Sequence, residues 1–147
     1  MLQERIEGKW LAMFRRVFAL NGISKGTTVT LVYETQSRPV LAHLSELALL
    51  DLGADFCMLK MSTPPQTAPV PVKSTGSSMA IQHNRGAIEA MKQSEIIVDC
   101  TVEGMIHSPE WPEVESAGAR ILVVTNEHPE ILERTCLLYT SPSPRDS

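Results

Sequence analysis

Apolar residues recur along the chain in two periods, and the switches between them mark out the elements. Over 2–20, Ile6, Trp10, Phe14 and Val17 or Phe18 fall three and four residues apart, which places them on one stripe of a helix. Arg5, Lys9, Arg15 and Arg16 form its solvated face, and the stripe is expected to pack on a sheet. Asn21-Gly22 stops the helix, because Asn and Gly accept the left-handed conformation that a helix end requires. The run TTVTLVY over 27–33 is short and β-branched, and predicts the first strand, with 34–36 as its exit loop. Ser37 then reads as a helix cap with Pro39 in the first turn. Val40, Leu41, Leu44, Leu47, Ala48 and Leu50 keep a helical period up to Gly53, and His43 in this helix reads as a rim residue rather than a ligand.

DFCMLKM over 55–61 predicts the second strand. The stretch 62–78 holds four prolines, one glycine and many hydroxyl residues, and is too long for an ordinary connection. Such a segment is a lid, an interface arm or a disordered loop. His83 and Asn84 open the next helix, whose inner face carries Ala87, Ile88 and Met91. A third strand is predicted over 95–100, a helix over 109–117, a fourth strand over 120–125 (RILVVT) and the start of another helix over 129–135. Apolar strands without polar alternation, joined by helices, predict an α/β fold: a parallel four-stranded sheet with helices on both faces, in a flavodoxin-like or Rossmann-like three-layer sandwich.

The chemistry concentrates in EIIVDCTVEGMIHSPE, over 95–110. The third strand ends in a carboxylate and a thiol, Asp99 and Cys100, and a loop containing Gly104 leads to Met105-Ile106-His107. Ser108, Pro109 and Glu110 read as a helix start, with Ser108 capping the free backbone N–H groups and Pro109 in the first position. Ligands of open α/β sheets bind at the carboxyl ends of the strands, where His107 falls. An imidazole, with an ordinary pKa of roughly 6.5, suits general acid–base work near neutral pH. Asp99 can orient it or cap a turn, and Glu103 is near enough in sequence to do either. A structural histidine stays the competing interpretation. No nucleophile–base pair and no metal cluster is visible, since the four histidines are scattered and neither H-x-x-x-H nor C-x-x-C occurs. Neither G-x-G-x-x-G nor the P-loop pattern is present, so nothing argues for a dinucleotide or nucleoside triphosphate.

Composition narrows the classes further. A net charge of −4 without a basic cluster argues against nucleic acid. No apolar run approaches the roughly 20 residues of a membrane span, and MLQERIEGKW has no apolar core of a secretory signal. Cys57 and Cys100 lie in or at the end of apolar runs, where buried, reduced thiols are usual, so a cytoplasmic protein is expected.

Three segments together carry a resemblance: NRGAIEAMKQSEIIVDC (84–100), MIHSPE (105–110) and ARILVVTNEHPEIL (119–132). With them the chain resembles the N-terminal region of the 2,5-dihydroxypyridine 5,6-dioxygenases, a family related to metal-dependent aminopeptidases of the aminopeptidase T type. The similarity runs from about Gly22 to Glu133 and is most specific at Ile97-Val98-Asp99 and His107-Ser108-Pro109-Glu110. Thr101 to Gly104 depart from the family pattern and run two residues longer. The resemblance implies an Fe(II) enzyme of nicotinate breakdown that opens a small aromatic substrate, a dihydroxylated pyridine, with O₂. His107 would be its acid/base residue and Ile106 an apolar wall against the ring. The iron ligands, two histidines and an aspartate, would belong to a C-terminal domain, so no metal ligand is assigned here. A metallo-aminopeptidase or a non-catalytic flavodoxin-like binding module are the other classes, and homo-oligomerisation stays open.

The last residues are expected to stand apart. CLLYTSPSPRD (136–146) resembles, residue for residue, the translation of a transposase adapter used in sequencing libraries. Residues 1–135 are therefore expected to form the α/β domain, with the natural protein running on past Thr135. The stretch 136–147 is expected to pack on nothing and carry no secondary structure.

Overall fold

The computed structural model describes residues 6–65, 78–124 and 128–130, and the backbone of 139–140. The elements in chain order are α1 (Gly8–Leu20), β1 (Thr28–Glu34), α2 (Pro39–Leu52), β2 (Asp55–Met61), α3 (Arg85–Lys92), β3 (Ile96–Asp99), α4 (Trp111–Ser116), β4 (Arg120–Val123) and β5 (Tyr139–Thr140). They form one sheet in the order β2-β1-β3-β4-β5. The first four strands are parallel, with Val29 beside Phe56 and Ile96, and Ile97 beside Ile121. This is the parallel four-stranded α/β sheet expected from the sequence.

Successive strand residues point to opposite faces, and that parity divides the core in two. Val29, Leu31, Ile96, Val98 and Leu122 pack with Trp10, Phe14 and Phe18 of α1 and Leu41, Leu44 and Leu49 of α2. Val32, Ile97 and Ile121 pack instead with Ala87, Ile88 and Met91 of α3 and Trp111 and Val114 of α4. Helices thus cover both faces, and the central strands are buried on both sides, β3 at all four positions and β1 at five of seven. At the amino end of the sheet, the Glu95 carboxylate accepts the Thr28 N–H at 2.8 Å and the Thr28 hydroxyl at 3.1 Å. Those two bonds, backbone first, hold its carboxyl below the usual range.

Several local expectations change. β2 is an edge strand with Asp55, Cys57 and Lys60 exposed, so Cys57 is exposed rather than buried. α1 starts at Gly8 rather than at residue 2: Glu7 is already extended, and 1–5 lie outside the described residues. Ser37 does not cap α2, whose N-cap is Arg38 without a side-chain bond. Its hydroxyl accepts the Glu34 N–H and donates to the Cys100 carbonyl, a partner 63 residues away. α3 is capped by Asn84, whose Oδ1 accepts the Ala87 N–H, while His83 sits at φ 60.

β5 departs from the expectation that 136–147 carries no secondary structure. It pairs antiparallel with β4, Leu122 opposite Thr140 and Val123 opposite Tyr139. The outer edge of β4 would otherwise present unpaired backbone N–H and C=O groups, and an extended segment satisfies them. The rest of that stretch, 136–138 and 141–147, lies outside the described residues, as do 66–77 of the proline-rich segment, Thr125 of the predicted fourth strand and 131–135 of the last predicted helix.

Candidate active site

In the order β2-β1-β3-β4, the chain leaves β1 through α2 toward β2 and leaves β3 through α4 toward β4. The two connections depart in opposite directions, which opens a crevice between the carboxyl ends of β1 and β3. Each of these strands ends in an acid. Glu34 follows Val32 by two residues and Asp99 follows Ile97 by two, so both carboxylates point to the face covered by α3 and α4. Both are buried: Glu34 is 4% exposed and Asp99 0%.

Burial of a carboxylate is tolerable only with hydrogen-bond donors around it. Asp99 Oδ1 accepts the Thr101 hydroxyl at 2.5 Å and the Thr101 N–H at 2.9 Å, and Oδ2 accepts the Met105 N–H at 2.8 Å. Burial pushes its carboxyl up to about 6. The Thr101 and Met105 bonds pull it back, and the charge of Glu34 adds a further upward push. Glu34 Oε1 accepts the Thr63 hydroxyl at 3.0 Å and Oε2 the Ser78 hydroxyl at 3.2 Å. The next residue on β3, Cys100, is buried beside the Ser45 hydroxyl, and burial raises its thiol to about 12, so it stays protonated and is no nucleophile.

The loop after β3 delivers the predicted site residues. Met105 is fully buried, and the Ser108 N–H donates to the Met105 carbonyl at 2.9 Å, closing a four-residue turn. Ile106 and His107 are the central residues of that turn. Ile106 is half-buried against the α3/α4 core and His107 is exposed. Asp99 reaches this turn through the loop backbone, since its bonds go to Thr101 and Met105. The helix start expected at Ser108 lies further on: α4 begins at Trp111, with Glu110 as N-cap and no side-chain cap bond. Among the described residues, the buried Ser108 Oγ and one Glu110 carboxylate oxygen have no hydrogen-bond partner.

The sequence named Asp99, Ile106 and His107 as candidates and placed Glu34 in an exit loop. The signal was present, since Glu34, like Asp99, terminates a buried strand at the carboxyl edge. Thr63 and Ser78 carried no local signal. Among the described residues, no group of three or more His, Cys, Asp or Glu is arranged to hold a metal ion, so none fits the iron implied by the resemblance. No described helix is long and apolar enough to cross a membrane.

A family model described as NicX, 2,5-dihydroxypyridine 5,6-dioxygenase, matches residues 9–140. Among solved structures, a 2,5-dihydroxypyridine dioxygenase from Pseudomonas putida KT2440 superposes with a TM-score of 0.76 at 22% identity. The match covers 88% of this chain and 38% of that one, so the chain spans well under half of that dioxygenase. The N-terminal subdomain of NpsA from Klebsiella oxytoca matches with a TM-score of 0.50 at 14% identity, over 99% of this chain and 31% of that one. At these identities the likenesses concern the fold. No curated protein matches the chain.

Proposed function

Since the chain belongs to the 2,5-dihydroxypyridine 5,6-dioxygenase family, we propose that it is part of an enzyme that opens 2,5-dihydroxypyridine with O₂, with His107 as its acid/base residue. The observation that carries this reading is that His107 is exposed in the turn of the loop that leaves the carboxyl end of β3. A phenol-like ring hydroxyl becomes a better electron donor toward O₂ once its proton is removed. A histidine exposed on the loop beyond a strand end can take that proton and return it to the opened product. Ile106, half-buried beside it, gives the ring an apolar wall.

Fe(II) would supply the activation of O₂. Such iron sites use two histidines and a carboxylate, and the described residues hold no such set. The chain matches 38% of the solved 2,5-dihydroxypyridine dioxygenase, and we propose that the iron ligands belong to the remainder of such an enzyme. The chain alone is expected neither to hold Fe(II) tightly nor to open the ring. The two described cysteines are free thiols, which fits a cytoplasmic enzyme.

The test is His107→Ala in the full-length enzyme, with turnover of 2,5-dihydroxypyridine as the readout. The expected loss is ~10²-fold or more, the usual worth of general acid–base catalysis, with iron content and folding unchanged. Wild-type turnover in the variant would make His107 a mere turn residue. A full-length protein that cleaves peptides and ignores the pyridine would assign the chain to a metallo-aminopeptidase instead.

A further inference from the structure

Resting on that role for His107, we propose that Asp99 is the positioning residue of the site, gripping from one end the peptide group that sets the His107 turn while Glu34 grips the other end through Ser78. Gly104 and Met105 share one peptide unit. Its N–H, on Met105, donates to Asp99 Oδ2 at 2.8 Å. Its carbonyl, on Gly104, accepts the Ser78 N–H at 2.7 Å. The Ser78 hydroxyl in turn donates to Glu34 Oε2 at 3.2 Å. A continuous chain of hydrogen bonds thus runs from one buried carboxylate to the other through a single peptide of the catalytic loop.

The choice of acids follows from the donors they meet. The 100–105 segment is neither helix nor strand, so its buried N–H groups need acceptors from elsewhere. An ionised carboxylate accepts at both oxygens and donates at neither, so Asp99 takes three donors without a competing hydrogen. Gly104 supplies the left-handed backbone, φ 79, that turns the peptide toward both grips. Beyond it, the Met105 side chain is sunk in the α3/α4 core and the Ser108-to-Met105 bond closes the turn. Little freedom remains between the gripped peptide and the imidazole two residues later. A misplacement of about 1 Å at a reacting group can reduce turnover by ~10²-fold, which gives the grip a catalytic consequence without any contact between Asp99 and substrate.

Asp99→Asn tests this, because the amide keeps the shape but turns one acceptor into a donor facing an N–H. Hydrogen exchange of the Met105 amide is measured by NMR in the 147-residue chain. Turnover and KM for 2,5-dihydroxypyridine are measured in the full-length enzyme. Thr101→Val, which removes only the hydroxyl bond, is the milder companion should the amide variant fail to fold. Exchange at Met105 is expected to quicken ~10-fold or more, as for one lost hydrogen bond to a charged acceptor, while Leu31 and Ile97 keep wild-type protection. In the full-length enzyme kcat should fall by a similar factor with KM nearly unchanged; Thr101→Val should show smaller effects of the same sign. Unchanged Met105 protection in both variants overturns the grip. Lost protection with unaltered kcat overturns its role in positioning His107. If the wild-type enzyme has no pyridine activity, the functional reading fails, and the exchange measurement still decides whether the grip exists.

Discussion

Asp99 trades a desolvation penalty for control of a loop, and its ionisation makes the trade measurable. An Asp carboxyl titrates near 3.8 in the unfolded chain and about 6 in the folded one, because burial outweighs the three hydrogen bonds. Between those values the folded state holds a proton that the unfolded state has lost. The stabilising linkage is therefore complete below about 4 and is lost as pH rises through about 6. A shift of roughly two units corresponds to about 3 kcal/mol. Asp99→Asn removes this titration and leaves the other carboxyls in place, so comparing the two proteins isolates it. From pH 7 to pH 4, wild type should gain up to about 3 kcal/mol relative to the variant in urea unfolding. Parallel stability curves would mean that Asp99 titrates alike folded and unfolded.

At the scale of elements, the ends of the helices show what local pattern encodes and what it cannot. Gly53 closes α2 at φ 74, with the Gly53 and Ala54 N–H groups returning to Leu50 and Leu49 carbonyls. A Cβ there would meet Lys25 at 3.5 Å, an ordinary contact. Gly53→Ala should therefore cost only the left-handed backbone penalty, about 1–2 kcal/mol, and Gly53→Asn less, because Asn tolerates that conformation. Thermal unfolding of both variants checks the order; equal losses would point to crowding instead. That stop was legible because glycine's signal is local, and β2 was legible to its boundaries, Asp55–Met61, because its β-branching-poor but apolar run lies between Gly53-Ala54 and the prolines. Ser37 and Ser108 misled for the opposite reason. A serine before a proline-bearing helix start looks like a cap, but Ser37 is claimed by the Cys100 carbonyl, and Ser108 offers Trp111 its carbonyl rather than its hydroxyl. Nor does a strand's own sequence state its neighbours: Cys57 is exposed only because β2 is at the edge of the sheet. The same limit hid Glu34, whose burial depends on Thr63 and Ser78 arriving from other loops. His107 and Asp99 were legible because strand end, loop and histidine follow one another in sequence.

At the scale of the whole molecule, the two cores meet at β3, the middle strand, where Val98 faces α1 and α2 while Ile97 faces α3 and α4. Both layers pack on the same strands, so losing one exposes a face of the sheet that supports the other, and unfolding is expected to be one cooperative event. The two tryptophans of the chain provide a probe on each side: Trp10 lies in the α1/α2 core and Trp111 in the α3/α4 core, 5% and 3% exposed. Trp111→Phe leaves fluorescence reporting on the first core, and Trp10→Phe leaves it reporting on the second. Ile97→Ala, introduced into each background, removes side-chain volume only from the second core and should cost about 2–5 kcal/mol. If the sheet couples the layers, this substitution lowers the denaturant midpoint seen by Trp10 as much as that seen by Trp111. A midpoint that falls at Trp111 alone would show that α3 and α4 detach from a sheet still held by α1 and α2. In that event the loop bearing His107, which leans on the α3/α4 core through Met105 and Ile106, would open with them before the rest of the domain unfolds.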